Sequence, residues 1–246
     1  MKSRFVGILL CLCASPALAA AAPEQIAPLG NQTVHQTVVV TARQARSIPP
    51  QSPDVFNTVA LDAGVTAYGA RWRRVSAADL SDPRLKQIGA AAAALDPVAK
   101  LGLIHSEVRR RIAWRSDLDT YRVSDYWAQA GETLNRGHGD GEDIAILEMQ
   151  ALKAAGFHSR DIYLSVGRDS VRGADTLLLV RVDDRFYVLD DRAERPVLWQ
   201  DHRRFAPIIT LGKDSAWLHG KRFAGRAARA GRGSSRVIVT RLPLAR

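Results

Sequence analysis

Beyond Cys13 the 246-residue chain contains no cysteine. Disulfides, thiolate metal sites and a cysteine nucleophile are therefore excluded for everything downstream, and the core must supply the stability on its own. Long apolar runs are scarce as well. The run from Phe5 to Leu12 is far shorter than the ~20 residues a spanning helix needs. With Lys2 and Arg4 ahead of it and Ala17-Leu18-Ala19 behind, it reads as a cleaved export peptide, residues 1–19. Cys11 and Cys13 both lie inside that peptide, so the exported chain would carry no thiol. One region combines an absence of acids with many bases: residues 221–246 hold eight Lys and Arg and no Asp or Glu. The formal net charge is +10, and the export peptide supplies two of those charges and the tail eight, so the remainder is neutral. The basic character belongs to a tail, and a nucleic-acid-binding fold is not indicated; an exported chain seldom meets nucleic acid. Such a tail can touch anionic envelope surfaces or serve solubility.

Residues 20–54 are rich in Pro, Gln, Thr and Ala with little periodicity, and read as a flexible leader. Within it Thr37-Val38-Val39-Val40-Thr41-Ala42 is a β-prone run resembling the energy-coupling box of outer-membrane receptors, although an apolar patch in a linker is the simpler reading. One domain is expected over 55–219, followed by a disordered basic tail, 220–246.

Within the domain, Asp96 can cap a helix whose first position is Pro97, with Val98, Leu101, Ile104, Val108 and Ile112 at spacings of three and four. A second helix is expected from about Asp140 to Ala155, with Ile144, Leu147, Ala151 and Ala155 as its buried stripe and Gly156 as its stop. The period then changes to two. Asp161–Val166, Thr176–Val182 and Arg185–Leu189 read as strands, the last two joined at Asp183-Asp184, with a further strand near Pro207–Leu211. Helices followed by an antiparallel sheet indicate an α+β domain.

The stretch that bears on chemistry is Asp125-Tyr126-Trp127, then Glu132-Thr133-Leu134, then Arg136-Gly137-His138-Gly139-Asp140-Gly141-Glu142-Asp143. It resembles the bacterial transglutaminase-like cysteine proteinases, periplasmic enzymes that release large surface adhesins, whose pattern runs Asp-Tyr-Trp, Glu-Thr-Leu, Arg-Gly-x-Gly-Asp-Cys-Glu-Asp. The resemblance implies a papain/transglutaminase-like fold, N-terminal helices packed on an antiparallel sheet. It also implies a catalytic triad: a thiolate favoured by a helix N-terminus, a histidine on a neighbouring strand and an acid on the next. On this chain the nucleophile position is Gly141, the histidine position is placed at Thr176 and the acid position is Asp190. Two of the three cannot perform their roles. The resemblance further implies a calcium site at Asp140 and Glu142, the acids flanking the nucleophile, although first-turn acids also satisfy a helix start without a metal. His138 reads as a surface residue, and Trp127 as packing.

Three functional readings follow. In the first, the chain is an inactive exported homologue that binds a partner such as an adhesin N-terminal region or a periplasmic receptor domain. The second is an active peptidase or acyl transferase with an unrecognised nucleophile. The third is an envelope-associated domain acting through its basic tail.

Overall fold

The computed structural model describes residues 37–41, 52–77, 80–222 and 236–240. The export peptide with its two cysteines, most of the leader and most of the basic tail lie outside the described residues. Among those described, no helix is long and apolar enough to cross a membrane.

Among the described residues, six helices and eleven strands follow along the chain. The helices are α1 (Gly69–Ser76), α2 (Pro83–Ala92), α3 (Pro97–Arg111), α4 (Asp117–Tyr121), α5 (Ala130–Arg136) and α6 (Gly141–Ala154). The strands are β1 (Thr37–Thr41), β2 (Val59–Asp62), β3 (Ala113–Trp114), β4 (His138–Gly139), β5 (Ile162–Asp169), β6 (Gly173–Val182), β7 (Arg185–Leu189), β8 (Val197–Leu198), β9 (Phe205–Leu211), β10 (Ala216–Arg222) and β11 (Arg236–Thr240). The large sheet runs β1-β11-β10-β9-β5-β6-β7-β8, with β2 also on β10, and every ladder whose register is defined is antiparallel. The second sheet is a two-residue parallel pair of β3 with β4.

The α3 start follows its sequence signal: Asp96 accepts hydrogen bonds from Val98 N and Ala99 N, and Pro97 takes the first position. Leu101, Ile104 and Val108 are buried as the periodicity requires, whereas Val98 faces solvent. α6 differs from a one-faced helix. Ile144, Ala145, Ile146, Leu147, Met149, Ala151 and Leu152 are all buried, so it is a central helix enclosed on most sides. Gly89 of α2 permits the closest of its contacts, since a β-carbon there would fall 2.6 Å from the Ala154 backbone. The Asp183-Asp184 turn has φ of 47° and 59°, a left-handed pair suited to a tight hairpin.

Two cores result from the alternation of the strands. Leu178, Val180, Val182, Ile162, Leu164 and Leu189 join the helices on one face. Leu177, Leu179, Val188, Tyr163, Phe205 and Trp217 form the other. Where an irregular leader and tail were expected, β1 and β11 pair residue for residue from Thr37↔Thr240 to Thr41↔Arg236, and β11 continues onto Lys221 and Arg222 of β10. A β-prone run in the leader thus finds its partner in the one β-prone run of the tail, and β10 carries the sheet past His219.

A fully buried polar contact fastens α6 to the rest. His105 of α3 meets Glu148 of α6 at 2.6 Å through Nδ1, and its Nε2 is 2.8 Å from the Ala193 carbonyl in the loop after β7. Removing one member strands the other in a dry interior. The single variants His105→Leu and Glu148→Leu should each lose about 3 kcal/mol in urea unfolding, while the double variant should lose less than either single; a double loss equal to the sum would mean the two side chains act independently.

Candidate functional site

The site forms where the small parallel sheet meets the start of α6. Pairing of Ala113 with His138 and of Trp114 with Gly139 lays the 113–117 segment beside the turn that opens the helix. Gly139 must be glycine for this packing, because a β-carbon would fall 2.7 Å from Cβ of Asp143. Asp140 is the N-cap, accepting from Asp143 N, and Gly141 is the first helical residue. Asp143 is turned inward, its Oδ1 accepting from Ala128 N at 2.7 Å. Trp127 is buried and stacks on Tyr68 with ring centres 5.5 Å apart. His138 is half-buried on β4, with Nε2 3.3 Å from an Arg115 guanidinium nitrogen.

Asp117, Asp140 and Glu142 each place a carboxylate oxygen within 4.8 Å of the others. Asp117 is buried and accepts from Tyr126 N through Oδ2, but its buried Oδ1 has no hydrogen-bond partner among the described residues. Burial, and then the repulsion of Asp117, push the Asp140 carboxyl up to about 7. Burial and the charge of Asp140 raise Glu142 well above its ordinary range. Asp143 is pushed to about 8 by burial, with Asp140 and Asp117 adding to it. Three hard oxygen donors, one unpartnered and all costly to ionise together, fit a bound divalent cation such as calcium. Asp117 was not foreseen. It lies 23 positions before Asp140, and the β3–β4 ladder brings the two segments side by side.

The three expected triad positions do not stand alike. A β-carbon at Gly141 would lie 3.8 Å from the carbonyl oxygen of Thr176 and 3.9 Å from Oδ1 of Asp175, ordinary contact distances, so a side chain could stand there without displacing its neighbours. Thr176 approaches Gly141 through its backbone, while Asp175 approaches with its carboxylate. Asp190 follows the last residue of β7. Its Oδ2 is 2.9 Å from His202 Nε2, and Oδ1 accepts from Arg192 N. Burial opposes ionisation of Asp190, yet His202 and Arg172 outweigh it and hold the carboxyl below its ordinary range. His202 was not foreseen from spacing; it is brought in by the β8–β9 connection. It also lines a cavity of about 390 Å³ with Phe56, Trp199, Arg203 and Phe205.

The segment that carries this site lies within a stretch that matches a known family. Residues 77–218, more than half of the sequence, match bacterial transglutaminase-like cysteine proteinase BTLCP. The chain belongs to the bacterial transglutaminase-like cysteine proteinase family. Its helices on an antiparallel sheet are the papain/transglutaminase-like fold. Among solved structures, calcium-bound LapG of Legionella pneumophila is 18% identical with a TM-score of 0.49, the match covering 61% of this chain and 86% of LapG. LapG treated with EGTA gives 18% identity and a TM-score of 0.49, covering 61% of this chain and 84% of LapG. No curated protein matches the chain. Residue 141, where the sequence motif leads one to expect the family's cysteine, is glycine, and no cysteine lies beyond Cys13.

The raised acids dictate a pH dependence. A carboxyl whose folded pKa lies above its unfolded value binds more protons folded than unfolded, so its stability contribution is fully present below the unfolded value, near 4, and is lost as pH rises through the folded one, about 7 for Asp140 and about 8 for Asp143. In chelator, Asp140→Asn/Glu142→Gln should therefore be more stable than the unaltered protein at pH 8, with the gap closing toward pH 5. Asparagine keeps the N-cap. Denaturant midpoints at the two pH values measure this, and a variant less stable at pH 8 would refute it.

Proposed function

We propose that the protein is an exported, catalytically silent member of its family, which binds a protein or peptide partner at the position of the family's catalytic centre with calcium held by Asp117, Asp140 and Glu142. The observation that carries this is Gly141. At the first position of α6, where a side chain would face β6 in ordinary contact, the chain offers hydrogen, and a hydrogen can neither attack a carbonyl nor be activated to do so. Asp190 remains, but an acid orients a base and is no nucleophile.

The calcium assignment is supported by the fit of the carboxylates and by the motif acids Asp140 and Glu142. A bound divalent cation would offset the mutual repulsion of the cluster and fix the 113–126 segment against the start of α6. What the chain's own residues contribute is shape. Asp117 ties Tyr126 N, Asp143 ties Ala128 N, and Glu132 accepts from Gln129 N at 2.7 Å to cap α5, so the loop beside Gly141 is held at three points. The aromatic cavity beside His202 and Asp190 gives a partner's side chain a place to enter. Partners of the class the family engages, an adhesin N-terminal region or a periplasmic receptor domain, are the ones to try. The export reading rests on residues 1–19.

Mixing the protein with a dialanine-containing adhesin N-terminal fragment, and separately with a periplasmic receptor domain, should give a complex by calorimetry with at least one of them in calcium, and the fragment should keep its full mass after overnight incubation. Cleavage of the fragment would refute the silent reading, and absence of binding to both would refute the partner reading.

A further inference from the structure

We infer that Asp175, and not Thr176, occupies the base position of this site, and that Arg172 now ties it to Asp190 as an ion-paired bridge; the inference rests on the family's triad arrangement adopted above. Three observations meet on it. The side-chain atom nearest a β-carbon at Gly141 is Oδ1 of Asp175, at 3.9 Å, whereas Thr176 contributes only its carbonyl oxygen, at 3.8 Å.

The second observation is register. Leu178 pairs with Leu189 and Leu179 with Val188, so one step further Leu177 stands opposite Asp190. Residues directly opposite share a face, and successive residues alternate. Leu177, Leu179 and Val188 do lie together in one core cluster, and Leu178, Val180 and Leu189 in the other. Asp175 therefore shares the face of Asp190, and Thr176 shares that of Leu178 and Val180. A base and the acid that orients it must be on one face, and only position 175 satisfies this.

Third, the two carboxylates are already joined. Arg172 places the same guanidinium nitrogen 3.2 Å from Oδ2 of Asp175 and 3.6 Å from Oδ2 of Asp190, and an Arg192 nitrogen lies 3.8 Å from Oδ1 of Asp175. β7 pairs β6 only between Leu178 and Val182, which leaves the Asp175 end of β6 open to Arg172, Arg192 and the start of α6. A histidine at 175 would stand between Gly141 and Asp190, as a triad needs. An aspartate there accepts from Thr176 N at 3.1 Å and presents an acid to the place where a thiolate would have to form. Restoring a thiol alone would thus set it against a carboxylate.

The test needs neither a partner nor turnover, so its failure would leave the binding reading untouched. In exported protein, Gly141→Cys is combined in turn with Asp175→His and Thr176→His, and the rate of alkylation by iodoacetamide is measured at pH 7 in calcium buffer. A paired imidazole raises the thiolate fraction, and each unit by which the thiol pKa falls is about tenfold in that fraction. The Asp175→His pair should react about tenfold faster than Gly141→Cys alone, and the Thr176→His pair should not. Faster reaction with histidine at 176, equal acceleration by both, or acceleration by neither overturns the inference. Should circular dichroism show that a histidine variant does not fold, disulfide trapping with diamide decides: Gly141→Cys/Asp175→Cys should cross-link and Gly141→Cys/Thr176→Cys should not, and the reverse, or cross-linking in both or in neither, overturns it.

Discussion

Three carboxylates packed around one helix start are the constraint on which the rest of the site depends. Asp117, Asp140 and Glu142 come from two segments far apart in sequence and are brought within 4.8 Å by a parallel ladder of two residues. Like charges so placed raise each other's pKa values and oppose the fold unless protons or a cation neutralise them. Much of the local architecture holds them in that position regardless: the glycine at 139 that lets Asp143 pack, the Trp127–Tyr68 stack, and the backbone donors of Tyr126 and Ala128. A site that retained only a helix cap would need Asp140 and not the others.

Gly141 takes its significance from that setting. It sits at the centre of the retained cluster, on the side facing β6, with room for a β-carbon. On the proposed reading, glycine here removes the nucleophile and costs the scaffold little, because a first-turn position tolerates glycine far better than a helix interior does. Across from it, an ion-paired network of Asp175, Arg172, Asp190 and His202 has taken the ground where acid and base would act together. On that reading, loss of chemistry and preservation of shape are separable. The first involves side chains at two or three positions, and the second rests on α6 and its buried fastening through His105 and Glu148.

The sequence made α3 and α6 legible because caps and periodicity agree at Asp96-Pro97 and at Asp140, and it made the β6–β7 hairpin legible through alternation about Asp183-Asp184. It left other features hidden for physical reasons. The expected stripe of Ile144, Leu147, Ala151 and Ala155 describes only part of α6, because Glu148 and Gln150 are also buried and hydrogen-bonded. Asp117 and His202 join the site through tertiary contacts that carry no spacing signal. Position 175 against 176 turns on a one-residue shift, which inverts every side chain of a strand, and only the register with β7 resolves it. The pairing of β1 with β11 joins segments nearly two hundred residues apart, each too short to be read as more than an apolar run.

The claim at the centre of this account is that the acidic cluster is a kept cation site in a protein that has lost its nucleophile. Isothermal titration of calcium into the exported protein at pH 7 tests it directly. One calcium per chain should bind, and Asp117→Asn should weaken it as Asp140→Asn and Glu142→Gln do, because all three oxygens face the same ion. Absence of binding, or binding that survives all three substitutions unchanged, would contradict it.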